Sequence, residues 1–201
     1  MTAITAAVAR VNLAPFDLDA LREEPSTVYA LSPDLRIEYV NNAWNRFALA
    51  NGAQWHAGEW GIGCSVMNAV PAILRPFHQR PFERALAERG VLEHDYECSS
   101  ATRARRFRMR LLPREAGGLL VVHSLRHSAD QPEGASPLLD PAYRRLGMLS
   151  QCAHCRRVQR ANEPGTWDWV PAYVERPQPM TSHGLCRPCL DYYYSEAALD
   201  G

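Results

Sequence analysis

Lysine is missing from this sequence: all 22 basic residues among its 201 are arginine, a coding bias from which no function follows. An excess of charge is missing too, because 22 acidic residues balance the arginines. No overall field therefore recruits nucleic acid or an anionic membrane. Long apolar runs are wanting as well. The longest strongly apolar stretch, Gly117 to Val122, is far too short to span a bilayer. Near the N-terminus Arg10 interrupts a weakly apolar run that no basic region precedes, so no targeting segment is read there. A cytoplasmic location without membrane attachment is the expectation. Catalytic signatures are also lacking: there is no GxxxxGK[ST] phosphate loop, no GxSxG elbow and no HExxH helix. No histidine-kinase phosphoacceptor helix, ATP-binding box or GGDEF-type motif occurs either. The reading is a protein that is not an enzyme.

What is present is ordinary globular material, 46% apolar and 22% charged. The composition changes near residue 128. Ser128 to Pro141 (SADQPEGASPLLDP) is rich in proline and acid and free of arginine, which is connector composition. The division predicted is an N-terminal helical extension over 1–25, a sensor-sized domain over 26–127, a linker over 128–141 and a small module over 142–201.

The first part reads as mixed α and β. Thr27 to Leu31 and Ile37 to Val40 are strands around a Ser32-Pro33-Asp34 turn. Asn41 or Asn42 caps a helix that carries Trp44, Phe47 and Ala48 on one face. Loop and short turns are expected over Gly52 to Gly63. A helix opening at Pro71 should be broken by Pro76 and Pro81, with a cleaner one from Pro81 stopped at Gly90. Three strands follow: His94 to Ser99, Arg105 to Leu112 and Leu119 to Leu125. In the middle one, period two puts Phe107, Met109 and Leu111 on one face and Arg106, Arg108 and Arg110 on the other. These arginines read as a solvated face neutralised by Glu93, Asp95 and Glu97 on the neighbouring strand, more readily than as a phosphate surface. Five strands with the helices confined to the middle imply an α+β fold, an antiparallel sheet with helices on one face.

Six cysteines in a chain with an ample core do not read as a disulfide scaffold, and four of them form two CxxC pairs. The pairs are Cys152-Ala-His-Cys155 and Cys186-Arg-Pro-Cys189. Each CxxC turn aims two thiolates at one point, and two such turns complete a tetrahedral sulfur site suited to Zn2+. Four protein ligands leave no open position, so the zinc is structural; iron is the other metal a sulfur tetrad accepts. A thioredoxin-like redox pair would sit beside a βαβ pattern, which is missing, and haem c attachment needs CxxCH, whereas Arg156 follows Cys155. His183 is the more credible substitute for a cysteine ligand than His154, which is sterically awkward inside CAHC. The small module, with Trp167, Trp169, Val170, Tyr173, Val174 and Leu185 as its main apolar groups, makes only a small core. Zinc supplies on the order of 10–16 kcal/mol to such a fold.

The order and spacing of the first part resemble a PAS domain over residues 26–126. The segments that carry the resemblance are STVYALSPDLRIEYVNNAWNRFA, GIGCSVMNAVP, FERALAERG, YECSSATRARRFRMRLLP and GGLLVVHSL. The resemblance implies a sensory or protein-interaction module whose concave sheet face and helices enclose a pocket. Phe47, Met67, Phe82, Phe107, Met109, Leu111 and Val122 are the candidate pocket lining, unless they close-pack. The flavin photosensors of this fold carry an NCRFLQ-like helix that is not found here. Cys64 and Cys98 read as small buried hydrophobes. His78 lies roughly where haem-binding members carry their axial ligand, yet a surface histidine between prolines is the plainer reading, and His123 is a satisfied sheet residue. Neither haem nor flavin is expected.

CAHCRRVQ, WDWVPAYV and SHGLCRPCLDYYY are similar to a short cysteine module of bacterial signalling proteins, C-x2-C-[KR]-R-[VI]…W…SHG-[IL]-C-x2-C, over residues 151–194. The expectation is a PAS-like sheet domain joined to a small zinc-ribbon-like module. Its function would be non-enzymatic bacterial signalling, passing a signal to a protein partner such as a kinase, a regulator or a second copy, with a small-molecule ligand compatible. A homodimer is compatible with the sequence, which does not decide whether the N-terminal helix around Phe16 to Leu21 would form it. The alternatives are a nucleic-acid-binding transcriptional regulator using Arg144, Arg145, Arg156, Arg157 and Arg160, or a haem or redox sensor. Nucleic acid is not the favoured partner.

Overall fold

The computed structural model describes residues 11–50, 61–70, 72–131, 140–176 and 178–194. Most of the expected loop over Gly52 to Gly63 and most of the linker therefore lie outside the described residues. Two compact units divide the chain. The first takes described residues up to 70, then 78–96 and 108–125; the second takes 72–77, 97–107 and everything from 126 on.

In the first unit, α1 (Leu18–Glu23) starts where the Asp17 carboxylate accepts the Ala20 N–H at 2.7 Å. Strand β1 (Thr27–Leu31) turns at Ser32 to Leu35 into β2 (Ile37–Val40). The expected cap proves to be Asn41, whose carbonyl oxygen accepts the Trp44 N–H at 2.9 Å and starts α2 (Asn42–Ala50). Short 3-10 turns at Val66–Ala69 and Ala72–Leu74 lead to α3 (Arg75–Glu88). The prolines do not break it. Pro76 falls in the first turn, where no N–H is needed, and the chain carries Pro81 as an interior proline of one continuous helix. Its stop is set one residue early, by Arg89 at φ 50°.

Strands β3 (Leu92–Glu97), β4 (Arg103–Pro113) and β5 (Leu119–Asp130) follow. The sheet has five strands in the order β2-β1-β5-β4-β3, with β1 antiparallel to both β2 and β5. Two strands, a helical middle and three strands is the predicted α+β order. β5 runs past Ser128, where composition alone begins a connector: Arg103 bonds both Ser128 and Asp130, and the Gln131 N–H reaches the Thr102 carbonyl at 3.0 Å.

Alternation sorts the side chains to two faces. Tyr29, Leu31, Ile37, Met109, Leu111, Leu119 and Val121 pack with Phe82 and Ala85 of α3. The opposite stripe of Val28, Ala30, Tyr39, Leu120 and Val122 is covered by Val11, Leu13, Phe16, Leu18 and Leu21. The N-terminal segment therefore roofs the second face, which the strand pattern alone leaves open. As expected, Arg108 is held by Asp95 and Glu93.

A buried arginine, Arg114, ties the ends of this unit together. Its guanidinium donates to the Leu31 carbonyl at 2.8 Å and the Asn12 carbonyl at 3.1 Å, and pairs with Glu38. Gly118, at φ +77°, lets the chain pass: a Cβ there would lie 2.0 Å from the Leu31 oxygen and 2.6 Å from the Arg114 Nη2.

In the second unit, α4 (Asp140–Tyr143), β6 (Arg144–Arg145), β7 (Met148–Cys152), β8 (Val158–Gln159), β9 (Trp167–Asp168), α5 (Pro171–Glu175), β10 (Thr181–Gly184) and α6 (Arg187–Tyr194) follow one another. The strand order is β10-β7-β8-β9, with β6 also on β7. A small core of Tyr143, Leu149, Val158, Val170 and Tyr173 sits beneath. The Tyr143 hydroxyl donates to Asp168 at 2.8 Å, and Arg160 bonds the same carboxylate at 2.7 Å.

Candidate metal centre

Cys152 ends β7, and the next three residues turn back on it. The Arg156 N–H donates to the Cys152 carbonyl at 3.0 Å, and the Cys152 N–H to the Arg157 carbonyl at 2.8 Å. Arg156, at φ 65°, takes the left-handed conformation that closes the turn. β10 runs parallel to β7, pairing Gly184 with Cys152, and the Ala153 N–H reaches the Gly184 carbonyl at 2.8 Å. This pairing delivers Leu185 and Cys186 beside the first pair. The second pair is then set by helix α6, whose first turn holds Cys189, rather than by a second hairpin turn.

All four sulfurs are buried and lie within 4.8 Å of one another. Cys155 and Cys186 Sγ are 3.6 Å apart, and the Cys186 N–H points at Cys152 Sγ at 3.5 Å. Sulfurs bound at about 2.3 Å to one tetrahedral zinc stand about 3.8 Å apart, so the cluster is of the right size. Four thiols so close share charge unequally. Hydrogen bonds from Cys155 and Cys189 draw the Cys152 thiol far down, while Cys152 as the acceptor pushes Cys155 up to about 12. A dication at the centre resolves this by favouring thiolate at all four. The donor set is wholly sulfur and closed, which fits a structural metal. Among the described residues this is the one group of three or more side chains placed to hold an ion. His183 is not part of it: it is exposed on β10, paired with Gln151.

The arginines near the cluster are largely engaged by protein groups. Arg160 pairs with Asp168 and Glu163, Arg156 donates to the Val174 carbonyl at 2.8 Å, and Arg144 donates to the Gly147 carbonyl at 3.0 Å.

A second constellation lies within the first unit, on the helix-covered face of the sheet. His123 on β5 uses both ring nitrogens: Nδ1 meets the Tyr96 hydroxyl at 2.7 Å and Nε2 the Tyr29 hydroxyl at 3.2 Å. Tyr29 stacks on the His123 ring at 5.4 Å and meets Trp44 edge-on at 4.9 Å. Burial holds His123 down to about 4, with a smaller repulsion from His78, and holds His78 down to about 4 beside His94. His78 is thus partly buried and neutral rather than a surface group. His123 is the satisfied sheet residue expected of it, though its two tyrosine partners had no signal in the sequence.

The candidate pocket residues separate. Met67, Phe82, Met109 and Leu111 gather in the helix-covered core. Val122 does not join them, because period two turns it to the opposite face with Val28 and Leu120. Phe47 is 36% exposed on α2 and outside that core cluster, and Phe107 is buried but falls in the second unit. Burial pushes the Cys98 thiol up, which leaves it inert, and Cys64 is half-buried.

Fold and site together define a chain with a five-stranded antiparallel α+β sheet and a four-cysteine cluster fit to bind a metal. Among solved structures it is similar to the PAS domain of Bordetella pertussis BvgS, at 18% identity over 57% of this chain and 83% of that one, with a TM-score of 0.40. It is also similar to the PAS domain of nitrogen regulation protein NR(II) from Vibrio parahaemolyticus, at 15% identity over 55% of this chain and 98% of that one, with a TM-score of 0.31. No family model matches the sequence, and no curated protein matches it. Among the described residues, no helix is long and apolar enough to cross a membrane.

Proposed function

We propose that this is a non-enzymatic signalling protein: a PAS-like sensor or interaction domain followed by a module built on structural zinc, passing its signal to a protein partner. The convergence of four sulfurs within 4.8 Å carries the reading, because a cluster of that size and chemistry is suited to hold a metal that ties the C-terminal residues together. The sequence resemblance to PAS over residues 26–126 and the order of strands and helices support the sensor part. Cys152, Cys155, Cys186 and Cys189 hold the zinc, which supplies cross-linking and no reactive position. The remaining residues act by placement. The β7–β10 pairing and the α6 start fix the sulfurs, while the tyrosine–histidine–tyrosine ladder keeps the sensor interior polar at one point and neutral.

Native mass spectrometry with metal analysis, on protein purified without added metal, tests the reading. One zinc per chain in a colourless protein is the expected result. A Soret band, flavin absorbance or a metal-free folded module would overturn it.

A further inference from the structure

The second unit exposes three large apolar side chains close together in the fold. Leu146 is 97% exposed, Met180 66% and Met148 44%. Leu146 and Gly147 have positive φ (51° and 80°), so β6 and β7 join by a tight two-residue hairpin with Leu146 at its tip. Met180 arrives beside it, because β10 pairs with β7 from Thr181 and Leu149 onward and the Leu149 N–H reaches the Met180 carbonyl at 3.0 Å. The two tips are fastened together. Arg144 Nη1 donates to the Gly147 carbonyl at 3.0 Å and to the Pro179 carbonyl at 3.5 Å, and the Thr181 hydroxyl holds the Gln178 carbonyl at 2.7 Å. Arg144, bonded to both tips, and exposed Arg145, next to the hairpin turn, supply positive charge there, and neither 144–148 nor 176–180 contains a carboxylate.

Three apolar side chains on fixed convex tips, rimmed by cations, limit what can cover them. A second copy in a two-fold contact would bring arginine against arginine. A protein interface needs on the order of 1,000 Å² of matched surface, and three projecting side chains supply a small part of that. An anionic lipid surface needs no matching shape: apolar tips enter the acyl boundary while guanidinium groups stay among the phosphates. We propose that the Leu146–Met148–Met180 tip docks peripherally on anionic membrane surfaces. This goes beyond the signalling reading and does not rest on it.

The full-length, metal-loaded chain should float with vesicles of phosphatidylglycerol and phosphatidylcholine in equal parts, and not with phosphatidylcholine alone. Leu146→Glu or Met180→Glu should weaken binding about tenfold or more. Arg145→Gln should weaken it less and flatten its salt dependence. These positions are exposed, and unchanged zinc content and circular dichroism would certify the fold. Inorganic phosphate at matched charge should fail to compete, which separates a lipid surface from a free phosphate site. The proposal is overturned by absent flotation, by equal binding to neutral vesicles, by competition from phosphate, or by binding that Leu146→Glu leaves unchanged. It is equally overturned if lipid-free sedimentation shows a dimer that Leu146→Glu dissolves, since a second copy then covers the tip.

Discussion

Asn41 does more than cap a helix. Its carbonyl oxygen accepts N–H groups from Val28 and Trp44, and its amide nitrogen lies at 2.9–3.3 Å from the carbonyls of Ser26, Glu24 and Leu21. Replacing Asn41 with alanine removes the cap and strands buried backbone groups, for an expected loss of about 2–3 kcal/mol in urea unfolding. Gly118→Ala should cost about 3 kcal/mol or more, because the added methyl meets a backbone oxygen at positive φ. His123 sets a pH dependence. Its folded value, about 4, lies below the ordinary 6.5, so the folded state prefers the neutral ring. His78 acts in the same sense. The stability that comes from keeping these rings neutral is full above about pH 6.5 and is lost as pH falls toward 4. Thermal melts across that window should show a declining Tm, and His123→Asn should lessen the decline. At this scale the sequence was only partly readable. The sequence narrowed the cap to Asn41 or Asn42 before an apolar helix and left the choice to the structure, whereas Arg114 looked like one arginine among many. Nothing local says that a side chain will meet Leu31, far away in the chain.

Elements were easier where one periodicity governed them. β4 alternates arginine with Phe107, Met109 and Leu111, and that pattern alone assigned its faces. α3 shows the converse: local proline rules broke it, while packing of Phe82 and Ala85 against the sheet keeps it whole. The cysteine pairs were legible because two CxxC spacings restrict the chemistry to so few outcomes. What spacing could not show was that parallel pairing of β10 with β7 and the start of α6 deliver the second pair. Cys152→Ser or Cys189→Ser should unfold residues 142–201 and leave the first unit folded, and a strong chelator should do the same. Limited proteolysis followed by mass spectrometry reads this directly. Equal resistance of that segment in wild type and variant would show that the cluster does not hold it.

For the molecule as a whole, charge is balanced globally and also paired locally. Arg108, Arg160 and Arg187 each face carboxylates. Titration with duplex or single-stranded DNA should therefore show at most weak, sequence-independent binding at low salt that vanishes near physiological salt, whereas tight binding that persists there would restore the nucleic-acid alternative. The N-terminal roof has a practical corollary for anyone trimming the chain. A shortened protein that begins at the first strand would present Val28, Ala30, Leu120 and Val122 to water. It would also deprive a nearly inaccessible guanidinium of the Asn12 oxygen. Such a fragment should clump or melt early, and workable expression boundaries begin upstream of Val11.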